Sequence, residues 1–173
     1  MINPCNLCSA KCCKEHLITV TSFDVLRAAN RTGKTFGEFA ELAPLKLLNY
    51  DNDTVLECYE EKDGKKLRYD YILAFKSHPC HFLGKDNLCT IHEFAPLGCK
   101  IYPFRSDEKL APRALCPAIA KLMFALKRPD VKAEEYLKYL NAYKELVTKW
   151  NKKHGKKEDC MLFMLDESRK TRL

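Results

Sequence analysis

The sequence predicts an α+β fold: a small antiparallel sheet and cysteine-rich loops organised around one or more metal centres, with a helical C-terminal part. Three observations predict it. Four of the 10 cysteines fall between Cys5 and Cys13, spaced C-x2-C-x3-C-C. Two alternating apolar runs, 54–59 and 67–73, flank an Asp63-Gly64 turn, the signature of a hairpin. Beyond residue 117 apolar residues recur every three or four positions, the period of a helix face.

At 173 residues the default is one domain with enough chain to bury a core. The expected organisation is a cysteine-cluster metal-binding part over 1–120, a basic helical part over 121–157 and a tail over 158–173. No apolar run approaches the ~18 residues needed to cross a bilayer, so no membrane partner is expected. Met1-Ile2-Asn3-Pro4-Cys5 lacks the charged start and apolar stretch of a secretory signal, which points to the cytoplasm. In that reducing setting a high cysteine count speaks for metal ligation rather than disulfides. The net charge is +7, and residues 121–157 hold 11 basic against 4 acidic groups. A lysine-rich helix is ordinarily a solvated face. Its sharper reading is a surface for an acidic partner, with nucleic acid the less favoured form of it.

The elements follow in order. Ile18–Thr21 alternates like a short strand. Thr21 or Ser22 caps a helix through about Asn30, with Asp24 in its first turn and Gly33 at its end. Thr35-x-x-Glu38 has capping-box spacing, so a second short helix is expected to about Leu42, before Pro44. The hairpin comes next and carries Cys58, read as a small buried apolar residue, as is Cys160. A turn at Gly84–Asn87 separates Cys80 from Cys89. Thr90-x-x-Glu93 predicts a capped helical turn stopped by Pro96, and Gly98 is expected in a backbone conformation denied to other residues. Cys116-Pro117 opens a helix to Lys127. Asp130 is expected to cap a long helix whose buried stripe is Ala133, Leu137, Leu140, Tyr143, Val147 and Trp150, with Gly155 as its stop. The tail is expected to add a short segment through Met161–Leu165.

Eight thiols are candidate ligands: Cys5, Cys8, Cys12, Cys13, Cys80, Cys89, Cys99 and Cys116. Thiolates are soft donors that select zinc, copper(I) or iron–sulfur clusters. Cys89 and Cys116 each precede an expected helix start, where free N–H groups lower a thiol's pKa. Eight thiols suit two sites of four, or one complete site and one open or shared. Only Cys5 and Cys8 form the C-x2-C pair common in structural zinc sites, and adjacent Cys12 and Cys13 sit awkwardly on one small ion. A [4Fe–4S] cluster is larger and spreads its ligands, so one or two such clusters are favoured, with zinc as the alternative. His81 and His92 lie beside these cysteines and are read as bystanders. Tyr102 and Arg105 follow Cys99 and are read as structural. No catalytic set of serine, histidine and acid is evident.

Cys5-x2-Cys8-x3-Cys12-Cys13, Thr19-Val-Thr-x-x-Asp24, Cys80-x-Phe-Leu, Cys89-x-Ile and Cys99-x-Ile-Tyr-Pro-Phe together resemble the YkgJ-type cysteine-cluster family of zinc- or iron-chelating domains. The resemblance covers roughly residues 5–120 and implies metal chelation. In the family phrase Cys-x-Ile-Tyr-x-x-Arg-Pro-x-x-Cys-Arg, this chain has His92 for the tyrosine, Ala95 for the first arginine and Lys100 for the second. The family also contains a flagellin lysine-N-methylase branch. Here none of the 6 glycines lies in a G-x-G-x-x-G loop, and Cys5-x2-Cys8-x3-Cys12 departs from the C-x3-C-x2-C of radical enzymes.

Three functions follow: an iron–sulfur protein for redox, sensing or cluster-based chemistry; a zinc-stabilised binding module for an acidic RNA or protein; and a lysine-N-methylase-like enzyme. The sequence leaves open whether the chain is an enzyme and which protein or small molecule it meets.

Overall fold

The structure is a computed structural model that describes residues 9–48, 53–105, 109–111, 114–126 and 131–173. Its sheet has three antiparallel strands in the order β1-β3-β2: β1 (Ala40–Pro44), β2 (Leu56–Lys62) and β3 (Lys65–Phe75). The β2–β3 hairpin turns at Asp63 and Gly64, both with positive φ (52° and 69°), as a two-residue turn of matching twist requires. β1 is a strand where the capping box predicted helix to Leu42. Helix α3 (Phe36–Phe39) is a single turn, and Ala40 onward pairs with residues 71–75 of β3. Pairing with an existing strand gives the amides and carbonyls of β1 that face β3 their partners, and that outweighs weak local preference.

β3 is central: β2 pairs with its residues 65–71 on one side and β1 with residues 71–75 on the other. Beyond the end of β2, residues 18–20 take up that edge: Thr19 bridges Ala74, the Val20 amide donates to the Leu73 carbonyl at 2.9 Å, and the Phe75 amide donates to Ile18 at 2.9 Å. The strand predicted at 18–21 is thus real but minimal. It leads straight into α2 (Ser22–Thr32), which Thr21 caps and Gly33 ends in the left-handed conformation, as expected.

The C-terminal part is helical: α5 (Ala118–Leu126), α6 (Ala133–Lys153) and α7 (Lys157–Lys170). α7 is far longer than the short segment predicted, because Cys160, Met164, Leu165 and Ser168 all bury against the body. Asp130 lies outside the described residues, and the N-cap of α6 is Lys132. The buried face of α6 holds Ala133, Tyr143, Leu146, Val147 and Trp150. Leu137, placed in that stripe from spacing, is 36% exposed near the start of the helix. His154, not Gly155, takes the left-handed position at its end. On α5, Ile119, Leu122 and Leu126 are exposed.

One core joins the sheet to α2, α6 and α7, and it includes Val25, Phe39, Leu56, Phe75, Phe82, Tyr143, Trp150 and Met164. Phe39, Phe75 and Phe82 meet edge-on or tilted, with ring centres 5.0–5.7 Å apart. Each large apolar side chain so buried contributes about 1.5–3 kcal/mol. Where α2 meets α7, Ser22 and Ser168 share a buried hydroxyl contact at 2.6 Å, and Ser168 donates onward to Met164 at 2.8 Å. Among the described residues no helix is long and apolar enough to cross a membrane.

Candidate metal centre

The candidate cysteines among the described residues ride on short, irregular elements packed beside this core. Cys12 and Cys13 lie in α1 (Lys11–Glu15), a single turn entered through Ala10 in the left-handed conformation. Cys80 follows the end of β3, and its amide donates to the Cys13 carbonyl at 2.8 Å. That bond stitches two segments far apart in sequence. Cys89 pairs with Leu83 across the turn predicted at Gly84–Asn87, where Gly84 donates to Leu88 at 2.8 Å and Asn87 takes a positive φ of 62°. Cys99 lies in α4 (Leu97–Ile101). Cys116 is half-buried just before α5, and the Pro117 carbonyl accepts the first helical bond from the Lys121 amide at 2.9 Å. Cys5 and Cys8 lie outside the described residues.

Three local expectations change here. Gly98 has an ordinary helical backbone; of the glycines, only Gly33 and Gly64 have positive φ. A Cβ on Gly98 would meet only the Tyr136 ring, at 3.9 Å. Thr90 caps nothing. Its hydroxyl and its amide both donate to the Phe82 carbonyl, at 3.1 and 2.9 Å, and the turn at His92–Phe94 has no side-chain cap. The competing acceptor is a strand-like partner across the Cys80–Cys89 loop, which closes that loop instead.

The fold brings Cys12, Cys80, Cys89 and Cys99 within reach of each other's charge. Burial pushes the Cys99 thiol well above its ordinary range, and Cys80, Asp24, Cys12 and Cys89 push it further. Burial also raises Cys80, helped by Cys89 and Cys12, and raises Cys89, helped by Cys12. Cys12 is raised first by its contact with the Cys13 thiol, 3.8 Å away, and then by burial. Cys99 has exposed surface area although dense protein surrounds its sulfur.

Two opposing influences matter for ligation. The Phe82 amide donates to the Cys80 sulfur, and the Ile91 amide donates to the Cys89 sulfur, each lowering that thiol's pKa. In both cases the donor stands two residues beyond the cysteine. Such N–H···S bonds stabilise thiolate charge and would remain available once a metal replaced the proton. They were unread in the sequence, although the repeated Cys-x-Phe and Cys-x-Ile phrases mark their places.

Cys116 is carried toward the same region. The Leu115 amide donates to the Tyr102 hydroxyl at 2.7 Å, and the Tyr102 ring lies edge-on to His16 at 6.3 Å. Tyr102 therefore ties the approach to α5 to the ends of α1 and α4, the structural role expected of it. His81 and His92 are exposed, and the His81 ring packs on Phe39 and Phe82.

Cys58 and Cys160 are fully buried, as predicted of each alone, but the fold also brings them together. The two thiols influence each other, and the nearness of Cys58 raises Cys160 ahead of the effect of its burial. The sequence offered no sign of this meeting between β2 and α7.

The donor set is all thiol, which suits zinc or an iron–sulfur cluster and suits magnesium or calcium poorly. Among the described residues no three His, Cys, Asp or Glu side chains form a group that could hold one metal ion. A bound centre of this class would supply electron transfer or Lewis acidity.

No curated protein and no solved structure matches the chain. A family model does match, over residues 4–117, the stretch that contains every candidate ligand. The chain belongs to this CxxCxxCC family, described as a "putative zinc- or iron-chelating domain".

Proposed function

We propose that the chain is an iron–sulfur protein holding a [4Fe–4S] cluster on Cys12, Cys80, Cys89 and Cys99. Cys5, Cys8, Cys13 and Cys116 then remain for a second centre. The observation that carries this reading is the gathering of four thiols from α1, the Cys80–Cys89 loop and α4, close enough to feel one another's charge. A single zinc ion draws its sulfurs to about 2.3 Å from one centre. A cubane is wider and accepts thiols at its corners, each supported by amide bonds to sulfur such as those at Cys80 and Cys89. Redox, sensing or cluster-based chemistry are the roles open to such a centre.

The second reading is zinc. The 3.8 Å between the Cys12 and Cys13 sulfurs favours it. Two thiolates on one tetrahedral ion stand about that far apart when each bond is about 2.3 Å.

Purification without oxygen, followed by an absorption spectrum and analysis of iron, sulfide and zinc, separates the two. The expected result is a brown protein with about four iron and four sulfide per cluster. A colourless, air-stable protein with stoichiometric zinc and no sulfide would overturn it and establish the second reading.

A further inference from the structure

We infer that Asp24 is a positioning residue of the metal centre, whose carboxylate fixes the start of α4 and so holds Cys99 in place. The inference rests on reading the thiol cluster as a metal centre. Asp24 is the third residue of α2, and its Oδ2 does what a capping box asks: it accepts from the Thr21 amide at 3.0 Å and the Thr21 hydroxyl at 2.8 Å. A cap needs no more, and an exposed residue would serve. Yet Asp24 is only 5% exposed, and its other oxygen faces away from the cap. Oδ1 accepts from the Leu97 amide at 3.2 Å and pairs with Arg27.

Leu97 is the first residue of α4 and Cys99 is two residues on. α4 has five residues, too short to hold itself, and its first amides have no partner within the helix. Its N-cap is Pro96, which offers no side-chain bond. One carboxylate therefore caps two helices, one through each oxygen. Asp24 also lies near enough to Cys99 to add to the charge that the thiol feels. A buried carboxylate is costly unless fully bonded, and here both oxygens are bonded. The Thr19-Val-Thr-x-x-Asp24 phrase thereby gains a role in the centre as well as in the helix.

The test uses full-length protein purified without oxygen, as wild type, Asp24→Ala, Asp24→Asn and Thr21→Ala. Metal is first measured per chain, and its release to a colorimetric chelator is then timed. Loss of a residue that orients a ligand costs about tenfold or more in metal retention. Asp24→Ala is expected to release metal about tenfold faster. Asp24→Asn has one carbonyl oxygen where Asp24 uses two, and is expected to release metal faster than wild type but no faster than Asp24→Ala. Thr21→Ala weakens the α2 cap while leaving Oδ1 in place, and is expected to lower stability without hastening release.

Equal release by Thr21→Ala and Asp24→Ala would reduce the effect to helix stability and overturn the proposal. So would a wild-type rate for Asp24→Ala, or Asp24→Asn releasing metal faster than Asp24→Ala. Amide exchange at Leu97, measured without metal, keeps the two readings apart. Wild type devoid of metal defeats the metal-centre reading itself. Metal present with Leu97 protection unchanged in Asp24→Ala defeats the role of Asp24 alone.

Discussion

Cysteines of one chemistry behave differently here because of what surrounds them. Cys58 and Cys160 face each other and apolar side chains inside the core, and the indole N–H of Trp150, which donates to the Glu57 carbonyl at 2.9 Å, runs beside them. Cys80 and Cys89 face other thiols, with an amide aimed at each sulfur. Replacing Cys80 or Cys89 by serine is expected to abolish most bound metal. Cys58→Ala is expected to keep metal at the wild-type level and to cost about 1–2 kcal/mol of stability through lost packing. Metal analysis beside a denaturant titration of each variant checks this, and equal metal loss in both classes would undo the division. The sequence already separates their surroundings: Cys58 sits inside an alternating strand, whereas Cys80, Cys89 and Cys99 sit among turn residues. The meeting of Cys58 with Cys160 was not legible, because it depends on how α7 lies across β2, which no local pattern encodes. Gly98 shows the opposite failure, since a glycine beside a cysteine invited a backbone reading that the short helix α4 does not need.

At the scale of elements, the exposed edge of β2 shows how the helices finish the sheet. The side chain of Asn151 behaves like a strand, its oxygen accepting from the Glu57 amide and its nitrogen donating to the Val55 carbonyl, both at 2.9 Å. The Tyr59 amide donates to the Gly155 carbonyl, also at 2.9 Å. The edge is thus covered by the end of α6, which blunts edge-to-edge association. Gly155 is needed for closeness and not for a turn, because an added Cβ would press on the Trp150 ring, with ring carbons at 2.8 and 2.9 Å and one nearer still. Trp150 is fully buried and cannot swing aside. Gly155→Ala is expected to cost about 1–3 kcal/mol, read as a fall in Tm with unchanged metal content. Glu38 offers a test by pH. The Thr35 hydroxyl and amide hold its carboxyl below the ordinary 4.5. A depressed folded pKa stabilises above the unfolded value and loses that contribution as pH falls through the folded one. Wild type is therefore expected to melt above Glu38→Gln at neutral pH, with the gap closing in acid below 4.5; a gap that widens in acid would contradict the cap. The cap at Thr21 and the capping box at Thr35 were readable because their contacts span three residues. β1 was not, since its strand character comes from β3, some thirty residues later.

The whole molecule divides into a body with its own core and a thiol-bearing flank with little. The sheet, α2, α6 and α7 share continuous apolar packing that includes Trp150, Tyr143, Phe39 and Met164. The segment from Lys76 to Ile101 contains turns, one 3-10 turn and the five-residue α4, and it meets the core chiefly through Phe82 and Ile91. The sequence alone suggests that metal holds a loop-rich chain in shape, whereas the packing predicts that only the flank depends on it. Local stability follows buried contacts and protected hydrogen bonds, so the two parts need not open together. Stripping metal with a chelator is therefore expected to speed amide exchange across 77–101 and around α1 by orders of magnitude. β3, α6 and α7 should remain protected, and the far-ultraviolet circular dichroism nearly unchanged. Reloading metal should restore protection in the flank alone, since binding stabilises only what it contacts. Cooperative loss of helix and sheet on chelation would instead mean that the thiols support the entire fold, and the helical body would then have to be counted as part of the metal site.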